Sequence, residues 1–280
     1  GVIGAGPIGC ELAQSFARFG SQVHLIEAQH GIMPNEDRDA AEVVKQQMLR
    51  DGVKLLCCGK DLTISKTDGG KRLTVDSHGQ QYDVTVDEIL VGVGRTANVD
   101  GLGLEVVGVE YDKNGVKVNG RLQTTNSRIF AAGDICSRYK FTHAADAMAQ
   151  IVIQNALFPH PLGLGYASVE SLIMPWCTFT EPEVAHVGLY ENDAKEKGLE
   201  IETYTYKLDE VDRAILDGED EGFARIHIQK GTDKIVGATI VAAHAGEMIN
   251  EFSVLMKAGL GAKIIAGTIH PYPTQAEVNK

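Results

Sequence analysis

The sequence predicts an α/β chain: a parallel sheet with helices on its faces, interrupted by a small antiparallel meander and followed by a mostly antiparallel α+β unit. Three observations carry this expectation. Over residues 1–94, short apolar runs alternate with stretches of helical period, and strand–helix–strand alternation on short connections implies parallel strands joined by right-handed crossovers. Residues 61–86 instead hold three β-rich runs separated by Asp68-Gly69-Gly70 and Ser77-His78-Gly79, where glycine supplies the positive φ that hairpin turns require. Beyond residue 175, four more β-rich runs are interleaved with two helical patterns.

Taken in order, Val2-Ile3 is a strand stub, residues 8–19 a helix, residues 22–26 a strand, residues 40–49 a helix and residues 53–56 a strand. Leu62-Thr63-Ile64, Arg72-Leu73-Thr74-Val75 and residues 82–86 form the meander, and Glu88-Ile89-Leu90-Val91-Gly92 returns to the parallel sheet. Ile129-Phe130-Ala131-Ala132-Gly133-Asp134 reads as a strand stopping in a Gly-Asp turn, and the Ala-rich residues 142–157 as a long helix. Residues 158–165, with Pro159, Pro161, Gly163 and Gly165, read as a linker. Residues 176–180, 202–208, 223–228 and 235–241 are strands, and residues 191–197 and 247–257 helices. In the last helix Met248, Ile249, Phe252, Leu255 and Met256 form one apolar face, read as core. The expected domains are residues 1–122, 123–165 and 166–280.

Composition narrows the function classes. With 26 Lys+Arg against 38 Asp+Glu the net charge is −12, which argues against a surface built for nucleic-acid phosphates or anionic lipid. The apolar run over residues 235–243 falls well short of the ~18 residues of a membrane span. Neither nucleic acid nor membrane is therefore expected as a partner. Cys10, Cys57, Cys58, Cys136 and Cys177 form no Cys-x2-Cys pair and no Cys/His spacing suited to zinc. The adjacent Cys57-Cys58 read as structural thiols, no metal ligand is expected, and the cysteine usage fits a reducing setting, cytoplasmic or in an organellar matrix. A native start is not expected at Gly1, because Val2-Ile3 already reads as buried strand.

The chemistry begins at Gly4-Ala5-Gly6-Pro7-Ile8-Gly9, a Gly-x-Gly-x-x-Gly pattern between a strand stub and a helix. Gly4 permits the tight turn, Gly6 lets backbone approach a pyrophosphate, and Gly9 allows helix to pack closely on strand. The helix N-terminus, at Pro7 and Ile8, meets the phosphate charge. The next strand ends in Glu27, eighteen residues after the third glycine. A carboxylate there accepts hydrogen bonds from both adenosine ribose hydroxyls and repels a 2′-phosphate. Ala28-Gln29-His30 holds no Arg to receive such a phosphate. This predicts a Rossmann-like dinucleotide site preferring NAD over NADP.

Several separated motifs then resemble one family, the flavin-dependent pyridine nucleotide-disulfide oxidoreductases, which include dihydrolipoamide dehydrogenase, glutathione reductase and mercuric reductase. They are the glycine pattern with Glu11 two residues beyond it; Gly92-Val93-Gly94-Arg95-Thr96-Ala97-Asn98; Thr124-Thr125 leading into Ala131-Ala132-Gly133-Asp134; Phe179-Thr180-Glu181-Pro182-Glu183-Val184-Ala185 with Val187-Gly188; and His270-Pro271-Tyr272-Pro273-Thr274-Gln275-Ala276-Glu277. Their order covers the whole chain. The resemblance implies FAD and NAD as cofactors, with Gly94 beside the dinucleotide, Asp134 at the FAD ribityl or phosphate region, and Phe141, Thr142 and His143 starting a helix beside the flavin. It also implies a homodimer, with residues 123–165 completing an FAD domain and residues 166–280 forming the dimer interface. Glu11 resembles the glutamate that pairs with a lysine near the flavin ring, and serves equally as a first-turn carboxylate favoured by the helix dipole. Asp134 has a plain alternative as a turn or capping residue.

In disulfide-reducing members a histidine occupies the place of Tyr272 and acts as acid/base, oriented by a glutamate that Glu277 matches. A tyrosine, with a pKa near 10, is a poor base at neutral pH but donates a hydrogen bond or approaches a thiolate and soft metal. That substitution is similar to mercuric reductases and argues against an authentic lipoamide dehydrogenase or glutathione reductase. His270 is as readily an interface or core residue as a catalytic one. The family's own FAD glycine loop and Cys-x4-Cys pair do not occur in these 280 residues, so the sequence resembles the C-terminal part of a longer reductase, with little activity expected of this segment alone. The acceptor is then a disulfide, mercuric ion or other small molecule. The competing reading is a non-catalytic dinucleotide-binding and dimerisation module.

Overall fold

The computed structural model describes residues 1–280. The chain divides into two compact units, one made of residues 1–94 with 175–280 and the other of residues 95–174.

In the first unit, β1 (Val2–Ile3) lies between β2 (His24–Ile26) and the later β7 (Leu90–Val91), and β3 (Lys54–Leu56) pairs outside β2, all parallel. Val2 faces Leu25 on one side and Leu90 on the other. Helices α1 (Pro7–Arg18) and α2 (Arg38–Arg50) supply the crossovers. Their buried faces, Cys10, Ala13 and Gln14 on α1 and Ala40, Ala41, Val44 and Met48 on α2, fall at helical spacing. Leu25 is fully buried among them, and such a leucine contributes about 1.5–3 kcal/mol. The meander follows as β4 (Gly59–Thr67), β5 (Gly70–Ser77) and β6 (Gln80–Val86). Leu73 and Val75 of β5 bury against Ile26 and Leu56, so the meander is fastened to the sheet by its own apolar alternation.

Residues 95–174 carry a short hairpin, β8 (Tyr111–Asp112) with β9 (Gly115–Val116), and the helix α3 (Thr142–Leu157). Leu122, Met148 and Ile151 form their core. The strand expected over residues 129–134 is not laddered. Phe130 makes a single bridge to Gln123, and Gly133–Ile135 closes as a 3-10 turn. The pairing of this segment is confined to residues 122–124, through Thr124 N–H to Ile129 O at 2.9 Å and Ala131 N–H to Leu122 O at 3.1 Å, too short a contact to make a ladder.

From residue 175 the first unit resumes with β10 (Pro175–Thr178), β11 (Glu183–Gly188), α4 (Glu191–Glu196), β12 (Ile201–Lys207), α5 (Asp212–Asp217), β13 (Phe223–Gln229) and β14 (Ile235–Ala242). The five strands form one antiparallel sheet in the order β10-β11-β14-β13-β12. All eight residues of the central β14 are buried. The apolar stripe expected over residues 247–257 buries as core but is split into α6 (Ala245–Met248) and α7 (Asn250–Ala258). Asn250 Nδ2 donates to the carbonyls of Gly246 and Glu247, and a side chain competing for helix carbonyls interrupts a helix at such a point. The short α8 (Ala262–Gly267) and a 3-10 turn over Gln275–Asn279 end the chain. Val184, Phe223 and Val241 join the core beneath the parallel sheet, so both halves of this unit share one interior. No helix is long and apolar enough to cross a membrane.

Candidate functional site

The three glycines of the opening turn stand in different steric settings. Gly4 has φ +96°, and a Cβ there would lie 2.6 Å from the Gly92 carbonyl oxygen. A Cβ on Gly9 would lie 1.9 Å from the Gly4 oxygen, whereas one on Gly6 would meet nothing within 4 Å. The turn is thus closed below by helix packing and open above at Gly6. Gly6 is the N-cap of α1, no side chain caps it, and Pro7 has no N–H. The first backbone bond into the helix is Cys10 N–H to Gly6 O at 3.0 Å. The amides of Ile8 and Gly9 therefore have no acceptor within the helix and carry the positive end of its dipole.

Glu27, half-buried at the end of β2, completes this arrangement. Its Oε2 accepts from Ala5 N–H at 2.7 Å and its Oε1 from Gln29 N–H at 2.8 Å. The carboxylate is thereby fixed to the glycine turn, and each oxygen keeps lone pairs for further donors. Gly94 follows β7, and a Cβ there would meet nothing within 4 Å. Cys10, beneath the turn, donates to Ala5 O at 3.2 Å, and burial pushes its thiol up to about 12, so it stays a protonated packing group.

Glu11 is engaged elsewhere. Its Oε1 accepts from Phe179 N–H at 2.9 Å. Three residues further, Gln14 accepts from Glu181 N–H at 2.8 Å and donates to Glu181 O at 2.7 Å. Together they bind α1 to the Phe179-Thr180-Glu181-Pro182 turn. A second tie was not legible in sequence. Glu36, 7% exposed, accepts from Trp176 Nε1–H at 3.1 Å and from the Tyr190 hydroxyl. Burial raises its pKa against the opposing effect of these two donors, and it raises that of Tyr190 as well.

The remaining site residues lie in two further places. Within residues 95–174, Asp134 is exposed on the 3-10 turn that packs against α3. Helix α3 begins at Thr142 without a side-chain cap, and the Phe141 and His143 rings stack at 5.2 Å and 6°. In the first unit, Tyr272 is 69% exposed and its hydroxyl donates to Asp212 Oδ2 at 2.8 Å. That carboxylate raises the tyrosine pKa further, and Glu277 adds to the effect. Glu277 is half-buried on the final turn. His270 Nε2 lies 3.2 Å from Glu251 Oε2 with the ring nearly buried, a packed setting.

Comparison with known proteins finds two matching family models. The family described as pyridine nucleotide-disulphide oxidoreductase matches residues 1–149, and its dimerisation domain matches residues 174–280. The chain is 33% identical over 277 residues to a mercuric reductase of Staphylococcus aureus, covering 99% of this chain and 50% of that protein. It is 34% identical over 278 residues to a dihydrolipoyl dehydrogenase of Staphylococcus aureus, covering 99% and 58%. Among solved structures, the HOCl-induced flavoprotein disulfide reductase of Escherichia coli superposes with a TM-score of 0.86 at 29% identity, covering 99% of this chain and 62% of that one. The chain thus spans about half the length of the curated relatives it matches. With both halves matched, the chain belongs to the pyridine nucleotide-disulphide oxidoreductase family.

Proposed function

We propose that this chain is the nicotinamide-binding and dimer-forming portion of a FAD-dependent NAD(P)H oxidoreductase. Reducing equivalents from NADH would pass through flavin to a cysteine pair outside these 280 residues, and on to a disulfide, mercuric ion or other small acceptor. The observation that carries this reading is the glycine turn with Glu27 fixed to it by the Ala5 and Gln29 amides. In it, the Ile8 and Gly9 amides receive pyrophosphate oxygens across the open space at Gly6, and Glu27 accepts the ribose hydroxyls. A 2′-phosphate there would meet the carboxylate, which supports NADH over NADPH.

The residues that would face FAD fit one end of it. Asp134 is exposed beside an uncapped helix N-terminus, a setting suited to ribityl hydroxyls and phosphate. FAD supplies, when bound, a two-electron relay between nicotinamide and thiols. Tyr272 and Glu277, in the dimerisation domain, would reach the active site of a second copy. Val254, Ile264 and Ile269 are 65%, 48% and 92% exposed, which supports an apolar face for that copy. The proposed functional boundaries are residues 1–122 for nicotinamide binding, 123–165 for FAD and 166–280 for dimerisation.

The test is anaerobic addition of NADH to the full-length protein while flavin absorbance is followed. Bleaching is expected. A yellow protein that NADH leaves oxidised would refute the oxidoreductase reading, and a colourless one that still binds NADH would favour a non-catalytic nucleotide-binding module.

A further inference from the structure

One cluster of side chains has no part in the function proposed above. Cys57 and Cys58 follow β3, His30 lies in the loop after β2, and His78 sits at the tip of the β5–β6 hairpin. Cys57 Sγ is 3.3 Å from His78 Nε2, and Cys58 Sγ is 3.5 Å from His30 Nδ1. One ligand atom from each of the four residues lies within 4.8 Å of all the others. The two imidazoles meet edge to face, at 89° and 6.3 Å between centroids, so neither covers the other. A tetrahedral ion with bonds of about 2.3 Å to sulfur and about 2.0–2.1 Å to nitrogen sets sulfur–nitrogen separations of about 3.6 Å. The two observed contacts fall close to that value before any ion is present.

The backbone holds these groups in place at some cost. Cys58 and His78 both have φ +55°, a left-handed conformation uncommon outside glycine and a frequent companion of functional sites. Cys58 N–H donates to Gln29 O at 2.9 Å, Ser77 Oγ–H donates to Cys57 O at 2.5 Å, and Gly79 N–H donates to Asp76 Oδ1 at 2.9 Å. Three separate segments are thus tied together behind the four ligands. Both histidines are exposed and both cysteines half-buried, which leaves the cluster open to an incoming ion.

We propose that His30, Cys57, Cys58 and His78 form a binding site for a thiophilic divalent cation of the zinc type. Two thiolates and two neutral imidazoles neutralise a divalent charge, and the absence of carboxylates from the set disfavours magnesium and calcium. Each ion bound displaces the two thiol protons into solvent. Occupancy would clamp the hairpin tip to the edge of the parallel sheet. Gln29, whose carbonyl accepts from Cys58 and whose amide donates to Glu27, joins the cluster to the proposed ribose carboxylate.

The experiment is a cobalt(II) titration of the full-length protein, reduced and stripped of metal, followed by displacement with zinc(II). One equivalent of cobalt is expected to give the visible bands of a tetrahedral ion and a sulfur-to-cobalt charge-transfer band, both lost on adding zinc. The double variant Cys57→Ser/Cys58→Ser should lose the charge-transfer band. His78→Asn, which tolerates a left-handed backbone, should weaken zinc by at least about tenfold with an unchanged circular dichroism spectrum. Cys136→Ser, outside the cluster, should behave as the parent. The proposal is overturned if the double variant keeps the parent's cobalt spectrum, if the reduced parent gives no sulfur band, or if Cys57 and Cys58 are found joined as a disulfide that excludes metal. Flavin reduction by NADH is read separately, so failure of either proposal leaves the other standing.

Discussion

At Glu27 a single carboxylate meets two backbone amides, at 2.7 and 2.8 Å, and each oxygen keeps lone pairs for further donors. Hydrogen bonds to a charged group contribute about 1.5–3 kcal/mol each, and every 1.4 kcal/mol is about tenfold in affinity. Glu27→Ala should therefore weaken NADH about 10- to 100-fold by calorimetry, and should narrow the preference over NADPH; an unchanged affinity would remove Glu27 from the ribose site. The glycine turn and Glu27 were legible in sequence because their partners lie within about one crossover of each other. Glu36 was not, since its donors Trp176 and Tyr190 stand 140 and 154 residues away. His30 and His78 stand only 28 and 21 residues from Cys58 and Cys57, but no known ligand spacing joins the four, so their meeting depends on how the hairpin folds back on the sheet edge. Only the Ser77-His78-Gly79 turn hinted that His78 would stand at a hairpin tip.

Among the elements, β11 holds the clearest pH dependence. His186 is fully buried in its centre, stacked on Tyr190 at 3.6 Å and paired through Nδ1 with Thr239 Oγ1 at 2.8 Å. Burial keeps it neutral, with the pKa pushed down to about 3 from 6.5. Below about pH 6.5 the unfolded chain binds a proton that the folded one refuses, so stability is full above that pH and is lost as the solution is acidified. The slope is up to about 1.4 kcal/mol per pH unit for one histidine. Urea midpoints should fall between about pH 6.5 and about pH 5, and His186→Gln should flatten that decline; equal slopes would contradict it. His227 of β13 is displaced in the same direction by burial and adds to the effect. Elements whose pattern is local, such as α1, α3 and β14, match their sequence reading to within a residue or two. Residues 129–134 and 247–257 departed from theirs because pairing partners and the Asn250 side chain decide them, and neither shows in periodicity.

For the whole molecule, the distribution of site residues matters more than any one contact. The glycine turn and Tyr272 belong to the unit made from both ends of the chain, whereas Asp134 and α3 belong to the other. If Tyr272 serves a second subunit, the half-reactions separate. Tyr272→Phe should leave flavin reduction by NADH unchanged in rapid mixing while slowing turnover with the acceptor roughly tenfold through the lost hydroxyl donor. Equal losses in both halves would contradict a late role. The resemblance running along the whole chain was readable from motif order; the acceptor was not, because none of those motifs specifies it.

The glycine turn also separates two kinds of evolutionary constraint. At position 9 any side chain collides with the oxygen of Gly4, whereas at position 6 it would enter vacant space. A descendant that gave up its coenzyme would still be held to glycine at position 9, merely to keep its interior shut. Position 6 would be released to drift. Which of the two glycines a distant homologue retains therefore distinguishes a turn that still serves a coenzyme from one that survives only as architecture.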